Sequence, residues 1–190
     1  MKKSFGAKTL VFPTPIFIIG TYDKAGKANA ATAAWGGICC SVPPCLAVSF
    51  REATQTFHNI IEHNAFTVNI PSEKFVKQAD YFGIESGKRV DKFLETGLTA
   101  VHSELIDAPY IKEFPYIIEC SLFQTNKLGL HTQFIGEIKD VKVDDDMLDE
   151  NGQIDVEKIR PVSWDPANHG YFGIGSLLGM AFSVGKTIKK

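Results

Sequence analysis

The apolar residues of the chain are gathered into short segments that are rich in β-branched and aromatic side chains. These segments span residues 15–22, 28–40, 45–50, 65–70, 116–125 and 132–143. The stretches between them carry turn residues, as in residues 23–27 and in the Pro43-Pro44 pair. The pattern predicts a mainly β protein in which the first two segments form a hairpin around residues 23–27.

Helical signals are fewer and lie in the middle of the chain. Thr56 is predicted to cap a helix over residues 57–63, and Ser72 is predicted to cap a helix over residues 73–81. A short third helix is predicted over residues 89–96. Six or more strands with a few inserted helices favour a small β-barrel with helical decoration, and the mouth of such a barrel can hold a ligand.

Composition and charge restrict the class of protein. The 190 residues, of which 44% are hydrophobic and 22% charged, fit a single globular domain over residues 1–190. A chain of this length can bury a sizeable core without a disulfide or a structural metal. With 20 Lys and Arg against 22 Asp and Glu, the net charge of -2 argues against nucleic acid as a partner.

The sequence favours a cytoplasmic location. Lys8, Pro13 and Pro15 interrupt the apolar region that a signal peptide would need. No apolar run approaches the ~20 residues of a membrane helix, so we expect no membrane partner. Four cysteines form no CxxC motif and are expected to be reduced thiols rather than metal ligands. They are Cys39, Cys40, Cys45 and Cys120.

Residues 29–34 are unusually small for a strand, since they combine alanine with Asn29 and Thr32. Alanine contributes little packing in a sheet. Small side chains would let a planar heterocycle lie across the backbone, with Asn29 and Thr32 adding donors and acceptors. Close packing of this strand against another strand or subunit explains the composition equally well.

A second feature follows the third apolar segment. Arg51 stands directly after it, and Thr54 and Thr56 stand at the start of the predicted helix. A guanidinium, two hydroxyls and the free N–H groups of a helix N-terminus together suit a phosphate group. The alternative is a surface arginine beside an ordinary threonine cap. A platform for a flat ring close in sequence to an anion site fits a mononucleotide.

Several motifs occur in an order that is characteristic of a known family. They are Asn29 to Trp35 (NAATAAW), Pro43-Pro44, Ser49-Phe50-Arg51 with Thr56, Phe66 to Pro71 (FTVNIP), Gly83, Ser86-Gly87, Asp91-Lys92-Phe93 and Gly97-Leu98. The chain resembles the flavin reductase-like FMN-binding split-barrel family, especially its flavoredoxin-like branch, from about residue 15 to residue 143. The resemblance implies a mainly β, Greek-key-like split barrel with a few α-helices. It also implies a homodimer that binds one FMN per subunit at the interface.

The resemblance also implies roles for individual residues. The segment expected along the isoalloxazine edge through its backbone, with an aromatic side chain beside it, is Asn29, Ala30, Ala31, Thr32, Ala33, Ala34 and Trp35. The residues expected at or near the phosphate are Ser49, Phe50, Arg51, Thr54 and Thr56. Lys92 is expected as a second cation near the flavin or the phosphate, and it could come from the partner subunit. Thr54 departs from the basic residue of many relatives, and Ala34 departs from their serine.

The activity implied by the resemblance is NAD(P)H-dependent flavin reduction. NADH or NADPH would pass a hydride from its C4 atom to N5 of FMN, a step that needs ring stacking but no protein acid or base, so no catalytic residue is assigned. A flavoredoxin-type electron carrier, reduced by a partner protein, is the alternative. A split-barrel relative that binds another ligand, such as a pyridoxal-type phosphate or haem, is a third. The Gly-rich, aromatic segment beyond Pro161 is hypothesised to cover the exposed face of the flavin.

Overall fold

Seven antiparallel strands form the main sheet of the protein. The computed structural model describes residues 1–188. Its strands are β1 (Thr14–Pro15), β2 (Phe17–Tyr22), β3 (Ala28–Ala33), β4 (Gly36–Ser41), β5 (Pro44–Phe50), β6 (Ala65–Ile70), β7 (Ala100–His102), β8 (Pro109–Ile111), β9 (Tyr116–Leu128), β10 (His131–Val143), β11 (Val162–Asp165) and β12 (Gly170–Gly173). The main sheet has the order β3-β2-β6-β9-β10-β5-β4, and two small sheets have the orders β1-β11-β12 and β7-β8.

Short helices connect these strands. Within residues 1–188 they are α1 (Gln55–His63), α2 (Val76–Ile84), α3 (Lys92–Thr96) and α4 (Val156–Ile159), with 3-10 turns at Glu73–Phe75, Asp145–Met147 and Val184–Thr187. The predicted mainly β architecture with a few inserted helices is confirmed. In the same part of the chain, no helix could span a lipid bilayer.

Two hydrophobic cores lie on opposite faces of β2, because successive side chains of a strand alternate between faces. Phe17 and Ile19 enter the first core. Strands from both ends of the main sheet surround this core and form the barrel. Its other buried members include Ala33, Val48, Ile60, Phe66 and Phe134. Ile18 enters the second core, which lies beneath α2 and α3 and includes Ala79, Phe82 and Phe93. The two helices are therefore fixed against the outer face of β2 and β3.

The predicted strand over residues 28–40 is wrong in one respect, because it folds as two strands. β3 ends at Ala33 and β4 begins at Gly36. A Cβ atom on Gly36 would lie 2.8 Å from the carbonyl oxygen of Ala47, so only glycine fits at the position where the second strand begins. Strands β1, β7, β8, β11 and β12 were not predicted. They have two to four residues each, too few to show an alternating pattern.

The helix starts also differ from the predictions. Thr54, not Thr56, caps α1, since its Oγ1 accepts the N–H of Phe57 at 3.2 Å. Ser72 makes no cap hydrogen bond, and the helix that follows opens with a 3-10 turn and continues to Ile84. The third helix begins at Lys92 rather than at residue 89, because the Asp91 side chain caps it. Thr56 does not cap the helix, and it lines a cavity next to β3.

Candidate functional site

A cavity of about 360 Å³ lies between β3, the start of α1 and the end of α2. Predicted site residues that line it are Asn29, Ala31, Thr32, Phe50, Arg51, Thr54, Thr56 and Lys92. The structure thus brings the small-residue strand and the predicted phosphate site, which are separate in sequence, to one place. The predicted residues that do not line the cavity are Ala30, Ala33, Ala34, Trp35 and Ser49.

The start of α1 forms one end of the cavity and has the character of an anion site. Its first-turn N–H groups lack partners within the helix. Thr54 caps the helix and also donates its hydroxyl proton to the Arg51 carbonyl oxygen at 2.9 Å, so this side chain is occupied. Arg51 itself is exposed at the rim. The guanidinium and the helix N-terminus therefore place two sources of positive potential at this end.

Thr56 is buried and its hydroxyl proton is available to a ligand. Its Oγ1 accepts a hydrogen bond from Asn29 Nδ2 at 3.1 Å. A hydroxyl that accepts in this way keeps its own proton for donation. Because only 1% of Thr56 is exposed, that proton can reach little besides the cavity. Thr56, which the sequence predicts as the helix cap, therefore keeps a hydroxyl proton that a ligand in the cavity could accept.

Asn29 contributes an unused acceptor at the middle of the cavity. The side chain is buried, and its Oδ1 has no hydrogen-bond partner within the described chain. A buried amide oxygen without a partner is costly, which indicates a place for a ligand donor. A Cβ atom on Gly87 would collide with this oxygen. Gly87 therefore leaves the space into which Asn29 points.

Lys92 holds two sides of the cavity together. Its Nζ donates to the carbonyl oxygens of Ala30 and Phe82, both at 2.8 Å, and so ties β3 to the last turn of α2. Burial lowers the pKa of Lys92 to about 8. The sequence-based expectation was a cation near the flavin or phosphate. The structure places it at the cavity but commits two of its three donors to the backbone.

Residues 82–87, which we call the α2 wall, complete the cavity, and sequence analysis did not assign them a role. They are Phe82, Gly83, Ile84, Glu85, Ser86 and Gly87. Thr32 Oγ1 donates to the Ala79 carbonyl oxygen at 2.5 Å and fixes this helix against β3. Gly83 and Ser86-Gly87 belong to the motifs that carry the family resemblance, which was the signal available for them. Their small side chains gave no chemical reason to place them in a site.

The predicted residues outside the cavity have other surroundings. Ala30 is fully buried in the second core and Ala33 in the first. Trp35 lies in the connection between β3 and β4, and its ring centroid is 6.0 Å from that of Trp164. The carbonyl oxygen of Trp35 accepts the N–H of Ser49 at 2.9 Å. Contacts of these residues with a cofactor stay predictions.

The split barrel with inserted helices is the fold of flavin reductase-like proteins, and the chain belongs to that family. The family described as "Flavin reductase like domain" matches residues 9–167. The predicted family and its split-barrel fold are therefore confirmed. Among solved structures, the flavoredoxin of Desulfovibrio vulgaris (Miyazaki F) is 51% identical, with a TM-score of 0.94 over 97% of this chain and 100% of that chain.

Two further solved structures show the same fold. A flavoredoxin from Methanosarcina acetivorans is 30% identical, with a TM-score of 0.91 over 98% of each chain. A putative flavin reductase with a split barrel domain from Shewanella frigidimarina is 26% identical, with a TM-score of 0.80 over 90% of this chain and 86% of that chain. The chain is thus similar along nearly its whole length to proteins described as flavoredoxins and as a flavin reductase.

Proposed function

We propose that the cavity binds FMN, with the phosphate at the start of α1 and the isoalloxazine ring along β3. The observation that carries this proposal is the arrangement of Arg51, the α1 N-terminus and the freed Thr56 hydroxyl at one end of a cavity bordered by an edge strand. FMN supplies two-electron chemistry when it is bound. The chain supplies the binding groups and the orientation.

The remaining polar groups of the cavity fit the same ligand. The unpartnered Oδ1 of Asn29 would accept a hydrogen bond from a hydroxyl of the ribityl chain, which lies between phosphate and ring in FMN. Ala31 leaves room for a planar group beside the backbone of β3. The third donor of Lys92 is available at the cavity surface, because the other two are held by carbonyl oxygens. None of these groups needs to act as an acid or base.

Two activities are compatible with this site. As an NAD(P)H-dependent flavin reductase, the protein would bind NADH or NADPH next to the flavin and oxidise it. As a flavoredoxin-type carrier, it would take electrons from a redox partner protein. The 51% identity with a flavoredoxin favours the carrier, and the likeness to a putative flavin reductase favours the enzyme. In both cases we propose a single-domain cytoplasmic homodimer with FMN at the interface.

The visible spectrum of the purified protein tests this function. Recorded anaerobically, the absorption spectrum should show bound oxidised flavin. It is then recorded again after NADH, NADPH and dithionite have been added in turn. Bleaching by a nicotinamide would establish the reductase, and bleaching by dithionite alone would establish the carrier. A colourless protein that takes up no flavin after incubation with FMN and desalting would contradict tight FMN binding.

Gly87→Ala is expected to lower the affinity for FMN about tenfold, because the new methyl group displaces the Asn29 amide and breaks its bond to Thr56. Titration of FMN fluorescence measures the effect. Gly37→Ala is the control outside the cavity, since a Cβ atom at Gly37 would have no atom within 4 Å. Equal FMN affinity in wild type and Gly87→Ala would show that the space beside Asn29 is not used.

A further inference from the structure

An apolar groove of about 310 Å³ lies away from the FMN cavity, where β4, β6 and β9 meet α4. Its lining is almost free of polar side chains and consists of Phe17, Ile38, Leu46, Ile70, Tyr116, Ile118, Ile154, Val156, Ile159 and Pro161. Ile38 is 67% exposed and Val156 52% exposed. Exposed apolar side chains that adjoin one another indicate a surface that another polypeptide covers.

The end of the chain is a segment with matching character. Residues 174–188, which we call the C-terminal arm, leave most of their large apolar side chains in solvent. These include Leu177, Leu178, Met180, Phe182, Val184 and Ile188. Leu178 and Phe182 are each 97% exposed. An arm of this composition gains stability by burying these side chains on a partner surface.

Charge also matches between the arm and the rim of the groove. Residues 144–161, which contain α4 and end at the groove-lining Pro161, carry seven Asp and Glu against two basic residues, Lys158 and Arg160. The arm contains one lysine, Lys186, and no acidic residue, and Lys189 and Lys190 follow it in the sequence. Opposite charges around an apolar centre fix the orientation of a bound segment. The groove is therefore complementary to the arm in both polarity and charge.

The arm begins beside α4 but does not fill the groove of its own chain. The N–H of Leu177 donates to Glu157 Oε1 at 3.0 Å, which places the start of the arm beside α4, next in sequence to the groove-lining Val156. No described residue of the arm is among those that line the groove. In a two-fold dimer the same surfaces meet reciprocally, so an arm that leaves one subunit can enter the groove of the other.

We propose that the C-terminal arm of each subunit docks into the apolar groove of the second copy, so that the two subunits exchange arms. This inference rests on the dimer of the proposed function and adds the segment that holds it together. It also gives the arm a role different from a cover over the flavin.

Disulfide trapping tests the exchange. The exposed Cys39 and Cys40 are first replaced by serine. Leu178→Cys in one chain and Val156→Cys in another are then mixed, refolded together and oxidised with molecular oxygen and a copper catalyst, which converts two thiols to a disulfide. A disulfide-linked dimer, reversed by a thiol reductant, is expected on a non-reducing gel. Placing the second cysteine at Leu105, which is 59% exposed outside the groove, is the control and should give little product.

The double variant with both cysteines in one chain distinguishes docking within a chain from exchange. A covalent monomer would overturn the proposal, and a covalent dimer supports it. Equal trapping at Val156 and Leu105 would also overturn it. FMN content is measured in the same samples, so that loss of flavin with intact trapping counts against the FMN site alone.

Dimer strength gives an independent measurement. Leu178→Asp with Phe182→Asp is expected to raise the dimer dissociation constant about tenfold or more in sedimentation equilibrium, because two buried apolar contacts are lost. Both side chains are exposed in the single chain, so its fold should be unaffected. Leu105→Asp is the matched control. An unchanged dissociation constant in the arm variant would contradict exchange.

Discussion

Replacing Arg51 with alanine is expected to weaken FMN binding by about 2 kcal/mol, or roughly 30-fold, while riboflavin binding changes little. The guanidinium stands at the rim next to the N-terminus of α1, and Thr54 uses its side chain for the cap. Arg51 is the cationic side chain that lines this end of the cavity, whereas the nearby Lys88 Nζ donates to the Ala53 carbonyl oxygen at 3.0 Å. Riboflavin lacks that phosphate, so it reports every other effect of the substitution.

Fluorescence titration with both ligands measures this difference. Arg160→Ala is the control for loss of charge, since Arg160 pairs with Glu73 at 2.7 Å near the opposite end of α2. That variant should bind FMN as the wild type does. Equal losses of FMN and riboflavin affinity in Arg51→Ala would mean that Arg51 shapes the cavity without contacting the phosphate.

The end of the cavity that we propose for the phosphate could be located from the sequence because its residues are neighbours in the chain. Arg51, Thr54 and Thr56 lie within six consecutive residues at a strand-to-helix boundary. Polar side chains at a helix start have only two ordinary uses, capping and binding. The sequence could not decide which threonine has which use, because a shift of two residues in the helix start exchanges them. The structure gives capping to Thr54 and leaves Thr56 free.

The end that we propose for the ring was less predictable, because strand alternation and packing between distant segments determine it. Residues 29–34 are small throughout, yet Ala30 and Ala33 are buried in two different cores while Ala31 faces the cavity. The α2 wall comes from a helix about fifty residues further along the chain. Its contribution is space beside Gly87 rather than a reactive side chain, so nothing in its composition marked it as part of a site.

Lys92 lines the cavity, and the contacts that its side chain makes there could not be read from the sequence. Its position in the Asp91-Lys92-Phe93 motif predicts a place near the cofactor. Its two bonds to the carbonyl oxygens of Ala30 and Phe82 depend on packing between β3 and α2, which the sequence does not display. A lysine that joins backbone segments can affect the cofactor without touching it.

The buried ammonium group of Lys92 is expected to make the stability of the protein depend on pH in the alkaline range. Its pKa is about 8 in the folded protein against 10.5 for an exposed lysine. Between these values the unfolded chain holds more protons than the folded chain, so the free energy of unfolding rises with pH. The full difference corresponds to about 3 kcal/mol, reached near pH 10.5, and the cost of the buried charge is complete below pH 8.

Lys92→Met removes this titration, so its free energy of unfolding should rise less than that of the wild type between pH 7.5 and about 10.5. Urea unfolding at several pH values measures the difference. Lys77→Met, which changes an exposed lysine of α2, should follow the wild type. Lys92→Met should also bind FMN more weakly, because the carbonyl oxygens of Ala30 and Phe82 lose their shared donor and β3 is no longer tied to the α2 wall. Parallel pH curves for wild type and Lys92→Met would show that the ammonium is not held in a buried, desolvated position.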